Sequence, residues 1–184
     1  GLPWRPEGGR DRGRVGDDAR REAGVLVPPG AVAVHYRGDS AAGRKDLTDG
    51  QAVAVCDAVA SLGRTPLLLD WRGQWPAGGQ RVVGSAGRSA EMNCAVIGRC
   101  EAFVGVDSGP AKCAAATDVP ALVVWTGHHP AAHFDPAPNA THLVPVGFHG
   151  MEPVCGDAAV AAWFDEYYDA RTYDDDPVRE IERW

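Results

Sequence analysis

The chain has 184 residues, of which 45% are hydrophobic, and its 25 acidic side chains outnumber 18 basic ones for a formal net charge of -7. That length suits one domain with a substantial core and is small for two. The acidic balance argues against a general nucleic-acid binder, which needs a basic surface. The absence of a long apolar run or an apolar leader core leaves no expected membrane span or export signal and makes the cytoplasm the expected location.

Six arginines fall between Gly1 and Arg21 among glycines and acids, so residues 1–30 read as a flexible Arg/Gly-rich leader or linker. After Pro28, Pro29 and Gly30, the run Ala31 to Tyr36 (AVAVHY) predicts a buried strand. From Asp46 the apolar positions Val53, Val55, Ala58, Val59 and Leu62 recur at roughly helical spacing, and Gly63 stands where such a helix would stop. Pro66 to Asp70 (PLLLD) predicts a second strand. The Gly-, Trp- and Pro-rich segment Trp71 to Gln80 reads as a loop leading to a weak strand at Arg81 to Val83. Ser89 can cap a helix running to Gly98. Strands at Glu101 to Val106 and Pro120 to Trp125 enclose an alanine-rich helix from Gly109 to Thr117. His142 to Val146 suits a further strand and Asp157 to Asp169 a helix, and residues 171–184 read as an acidic tail, loosely held or packed elsewhere.

Short apolar strands alternating with helices predict a Rossmann-like α/β domain over residues 31–170, a parallel sheet with helices on both faces. In such sheets ligands bind outside the carboxyl ends of the strands. Four loops there are polar or charged: HYRGDSAAGRKD, DWRGQW, DSGPAK and WTGHHPAAHFD. Within DSGPAK, Asp107 and Ser108 end a strand, Gly109 permits close backbone approach, Pro110 suits a first helical turn, and Lys112 adds positive charge. The amides of that helix start favour an anion such as a diphosphate; equally, Asp107 or Ser108 can simply cap the helix. Arg37, Ser40, Arg44 and Lys45 in the first loop supply cationic and hydroxyl donors for phosphate oxygens. Asp70 can accept from ribose hydroxyls, and Trp71 or Trp75 can stack on a base or anchor the loop.

The blocks HYRGDSAAGRKDL, VGVDSGPAKCAAA and PALVVWTG resemble the nucleotide-sugar-binding half of the heptosyltransferases, glycosyltransferase family 9, enzymes of the two-Rossmann GT-B type. The resemblance spans roughly Ala31 to Pro145. It implies a donor-diphosphate role for Asp107, Ser108 and Gly109, a phosphate contact for Lys45, and an ADP-linked sugar as donor substrate, with no other cofactor. The family usually has histidine where this chain has Lys112. Its enzymes also carry a preceding acceptor-binding domain that supplies the general base, and about thirty residues before the first strand are too few for one. The expected partners are therefore a nucleotide-sugar and an acceptor-binding domain or second polypeptide.

No catalytic base is identified. His128, His129, His133 and Asp135 are candidates within WTGHHPAAHFD, but His128 reads first as a lining residue of the donor pocket or as packing against Trp125. A metal site on that proline-containing loop is not expected. His35, ending the first strand, is expected to be partly buried with one ring nitrogen bonded to a neighbouring loop. The five cysteines are odd in number and lack CxxC spacing, so they read as small buried thiols. Alternatives to a transferase are a non-catalytic nucleotide-sugar-binding module and a structural assembly domain on the same scaffold.

Overall fold

The computed structural model describes residues 15–38, 45–69, 89–126, 130, 134, 137–145 and 169–184. Six strands, β1 (Ala31–His35), β2 (Thr65–Leu68), β3 (Ala102–Val106), β4 (Ala121–Val124), β5 (Ala140–Pro145) and β6 (Asp169–Tyr173), form one sheet in the order β2-β1-β3-β4-β5-β6. Every neighbouring pair runs parallel. The chain leaves β1 towards one edge to make β2, then crosses to the other side of β1 to make β3. The β1/β3 boundary is thus the topological switch point, and folds of this kind receive ligands outside the carboxyl ends of the strands at that point.

Alternation along the strands fills both faces. Ala31 and Ala33 of β1, Phe103 of β3, and Ala121 and Val123 of β4 face one core layer. Val32 and Val34, Val104 and Val106, and Leu122 and Val124 face the other. The first layer is covered by α1 (Asp17–Leu26), α3 (Ala90–Ile97) and α4 (Gly109–Ala115), and the second by α2 (Asp49–Ser61) and α5 (Val178–Ile181).

The helix ends follow local chemistry. Thr48 and Gln51 form a reciprocal capping box at α2, satisfying two amides that the helix itself cannot. At its far end Gly63 takes φ 73°, with Gly63 N–H on Ala60 O and Arg64 N–H on Val59 O, the paired bonds of a Schellman stop. Ser89 caps α3 by accepting from Met92 N, as its sequence predicts.

Three expectations differ. Residues expected to be a flexible leader include α1, whose Ala19, Ala23 and Leu26 pack on the first core layer. These three residues lie on one helical face, and the arginines around them mask that stripe in a composition reading. The C-terminal stretch is not loose: β6 extends the sheet across the expected boundary at 170/171, and Tyr173, Val178 and Ile181 are buried. Cys94 of α3 and Cys113 of α4 are disulfide-bonded rather than free. They stand 19 residues apart in sequence but 5.2 Å apart at Cα, because the two helices flanking β3 pack against each other on one face. Cys56 and Cys100 are buried thiols, as expected; Cys155, the strand expected at 81–83 and residues 157–168 of the expected last helix lie outside the described residues.

Candidate functional site at the β1/β3 switch point

β1 and β3 end level, with His35 paired to Gly105 in the register. Their approach requires glycine at 105, since a Cβ there would lie 2.6 Å from the Phe103 ring and 2.7 Å from the His35 carbonyl oxygen. The two following segments, residues 36–38 with 45–47 and residues 107–110, meet over this seam.

The first loop is closed at its base. Leu47 N–H bonds the Tyr36 carbonyl at 3.0 Å, and Gly38 N–H bonds Asp46 Oδ1 at 2.8 Å. Lys45 is thereby turned inward, its side chain only 10% exposed, with Nζ 3.8 Å from Oδ2 of the equally buried Asp107. Gly38 makes room for the lysine stem, as a Cβ there would fall 2.8 Å from Lys45 Cε. Burying an ion pair costs desolvation that its attraction barely repays.

Ser108 stands at the N-cap position of α4 yet makes no side-chain cap. Its hydroxyl donates to the Val106 carbonyl at 3.0 Å and contacts His35 Nδ1 at 3.0 Å. The simple capping alternative for Asp107 and Ser108 is thus set aside, because both side chains are turned to other partners. Gly109 is exposed and its Cα faces open space, while Pro110 is buried in the first turn. With seven residues, α4 is too short for its dipole to dominate, so charge complementarity here rests on side chains.

The remaining expected residues distribute unevenly. Arg37 is pulled to the start of α2, paired with Asp49 and lying 4.9 Å over the Tyr36 ring; α2 takes its charge because Asp49 opens that helix. Lys112 is exposed on α4. Ser40, Arg44, Asp70, Trp71, Trp75, His128, His129, His133 and Asp135 lie outside the described residues. Lys45, Asp107, Ser108, Gly109 and Pro110 come together, joined by His35, which bonds a neighbouring loop as expected. Gly38 and Asp46 escaped the sequence reading, although a glycine directly after the strand-end arginine was the available cue.

Two histidines are held neutral by their surroundings. Burial lowers the His35 pKa to about 4, the nearby Lys45 acting in the same direction and Asp46 opposing it. His142 is likewise pushed to about 4 by burial against an opposing pull from Asp169. Trp125 Nε1–H donates to His142 Nδ1 at 2.8 Å, and Phe134 meets both rings edge-on. Tyr173 O–H ties β6 to the Trp125 carbonyl at 2.7 Å. Among the described residues the histidine that packs on Trp125 is His142, a residue the sequence marks only as a strand position. Among the described residues no three His, Cys, Asp or Glu side chains converge as a metal site, and no helix is long and apolar enough to cross a membrane.

No family model matches the sequence, and no curated protein matches it at a significant level. Its structure does have likenesses. It is similar to glycosyl transferase family 9 from Veillonella parvula DSM 2008, at 15% identity and a TM-score of 0.57, over 85% of this chain and 47% of that one. It is also similar to the E. coli ADP-heptose lps heptosyltransferase II, at 14% identity and a TM-score of 0.54, over 70% of this chain and 44% of that one. The chain spans about half the length of each. The resemblance expected from the motifs holds at the level of fold: this is a Rossmann-like α/β unit built like part of a family 9 glycosyltransferase.

Proposed function

We propose that this chain binds a nucleoside-diphosphate sugar across the β1/β3 switch point and acts as the donor-binding part of a glycosyltransferase. The observation that carries the reading is the buried Lys45, held beside Asp107 at the carboxyl-end switch point where folds of this kind receive ligands. The Lys45 ammonium, turned inward beside Asp107, is a compact positive charge that attracts phosphate oxygens. Gly109, with open space before it, lets a ligand approach the backbone. The ADP-linked donor follows from the motif resemblance, as does the phosphate role of Ser108.

In the transfer the acceptor oxygen bonds the anomeric carbon as the bond from that carbon to the diphosphate breaks. The acceptor's proton passes to a general base, and the charge left on the diphosphate is met by Lys45. His35 is not that base, being buried and engaged with Ser108. The reading assigns the base and the acceptor to another domain or chain, in line with a chain that spans about half of its structural neighbours.

The test is thermal stabilisation by a panel of nucleoside diphosphates and their sugars, since a ligand that binds only the folded state raises its stability. Stabilisation by one nucleoside-diphosphate series, absent in Lys45→Met, is the expected result. A panel with no effect at millimolar concentration refutes the proposal.

A further inference from the structure

The donor reading gives no task to His35, although it is among the most completely buried polar side chains, at 1% exposure. Its Nδ1 lies 3.0 Å from Ser108 Oγ, and that same oxygen donates to the Val106 carbonyl. A serine hydroxyl carries one proton. Two arrangements satisfy these contacts: the serine proton on Val106 with His35 as the Nδ1–H tautomer, or the serine proton on Nδ1 with the other tautomer. The first keeps the Val106 bond, and the role inferred for His35 rests on it. Burial keeps the ring uncharged, with Lys45 and Asp46 the charged groups acting on it.

The consequence falls on Ser108. A serine at an N-cap position ordinarily turns its oxygen onto the helix amides. Here the backbone is extended, at φ -163° and ψ 174°, and His35 holds the oxygen away from α4. Fixed on one side by a donor, Oγ retains a single freedom, the direction of its own proton. A hydrogen bond received at Oγ also polarises the hydroxyl and makes it the better donor.

We propose that His35 is a positioning residue for anion binding: its Nδ1–H fixes Ser108 Oγ so that the hydroxyl proton turns from the Val106 carbonyl to a phosphate oxygen of the ligand. One hydrogen bond is exchanged for another and no proton leaves either residue. The inference rests on the donor reading above and deepens it.

The experiment titrates the full chain with ADP by calorimetry, using wild type, Ser108→Ala, His35→Leu, His35→Asn and the Leu/Ala double variant. A lost hydrogen bond to a charged group weakens binding about tenfold or more, and that loss is expected in Ser108→Ala and in His35→Leu. The double variant should bind no worse than Ser108→Ala, because His35 acts through Ser108. His35→Asn, which can present an amide N–H near the Nδ1 position, should stay within about threefold of wild type on the same scale. Nitrogen-15 spectra of the wild-type His35 ring should show the Nδ1–H tautomer with and without ADP, a readout available even if His35→Leu does not fold. An Nε2–H tautomer, additive losses in the double variant, or wild-type affinity in His35→Leu overturns the positioning role while leaving donor binding intact. A wild-type chain that binds no nucleoside diphosphate overturns both.

Discussion

Replacing Lys45 by methionine keeps an unbranched apolar stem and removes the terminal ammonium. Two unit charges 3.8 Å apart attract by about 4 kcal/mol at an effective dielectric constant near 20, and desolvation offsets much of that. What the substitution exposes is the asymmetry of a buried pair. Asp107, its side chain 9% exposed, loses the cation beside it, a situation that costs about 3 kcal/mol. Lys45→Met should therefore lower the unfolding free energy by about that amount in urea titrations at pH 7. Adding Asp107→Asn should restore most of the loss, because no uncompensated charge remains. Binding should respond differently. A charge-assisted contact is worth about 1.5–3 kcal/mol, so ADP affinity should fall roughly 10- to 100-fold in Lys45→Met, and the double variant should not regain it. Stability recovered without affinity would separate the lysine's structural role from its ligand role. A Lys45→Met chain that binds ADP within twofold of wild type, or a double variant no more stable than the single one, would refute the reasoning.

Gly109→Ala adds a Cβ that meets nothing within 4 Å in the free protein, so its stability should change by no more than about 1 kcal/mol while ADP binding weakens; equal binding would place the ligand elsewhere. Gly38→Ala introduces a Cβ 2.8 Å from Lys45 Cε, which should displace the lysine and weaken ADP binding in calorimetry, with a smaller stability loss than Lys45→Met. Removing the Cys94–Cys113 bridge by double serine substitution should cost about 3 kcal/mol, the chain-entropy value for a loop of this size, and a reductant should then leave the variant's urea midpoint unmoved. The histidines predict acid sensitivity. With folded pKa values near 4 for His35 and His142 against the ordinary histidine value of 6.5, the unfolded chain takes up protons first as pH falls. Their contribution is full above pH 6.5, declines below that, and is exhausted near pH 4. At pH 5 the loss amounts to about 2 kcal/mol per ring, which urea titrations across this range would detect.

The strands were legible because parallel strands buried on both faces are short uninterrupted apolar runs; AVAVH, AFVGV and ALVV need no partner to be recognised. Ser89 and Gly63 were equally plain, since a cap and a left-handed stop are local chemistry. The misjudged pieces depend on distant partners. Ala19, Ala23 and Leu26 make a helix face only once α3 offers its own. Cys94 and Cys113 become neighbours only through the packing of α3 on α4. In the site, the types and loops of Lys45, Asp107 and Ser108 were readable, but their directions were not. Ser108 could cap or turn away, and the deciding group, His35, lies 73 positions earlier in the chain. Arg37 read as a phosphate ligand, yet Asp49, only 12 positions on, engages it at the start of α2.

The arrangement also explains how a small site can be held firm. The bridge between Cys94 and Cys113 closes a loop that contains all of β3 together with Asp107, Ser108 and Gly109. The β3 side of the site is thus tied covalently across its two flanking helices, and its serine is in contact with His35. The opposite side is closed at its base by the Gly38–Asp46 and Tyr36–Leu47 bonds, which aim Lys45 across the gap. Groups fixed before a ligand arrives lose less freedom when it binds, so more of their interaction energy remains as affinity. On that reasoning the disulfide serves the site as well as the fold. Its removal should weaken ADP binding even under conditions where the chain stays folded, and unchanged affinity in the folded Cys94→Ser/Cys113→Ser chain would confine the bridge to stability alone.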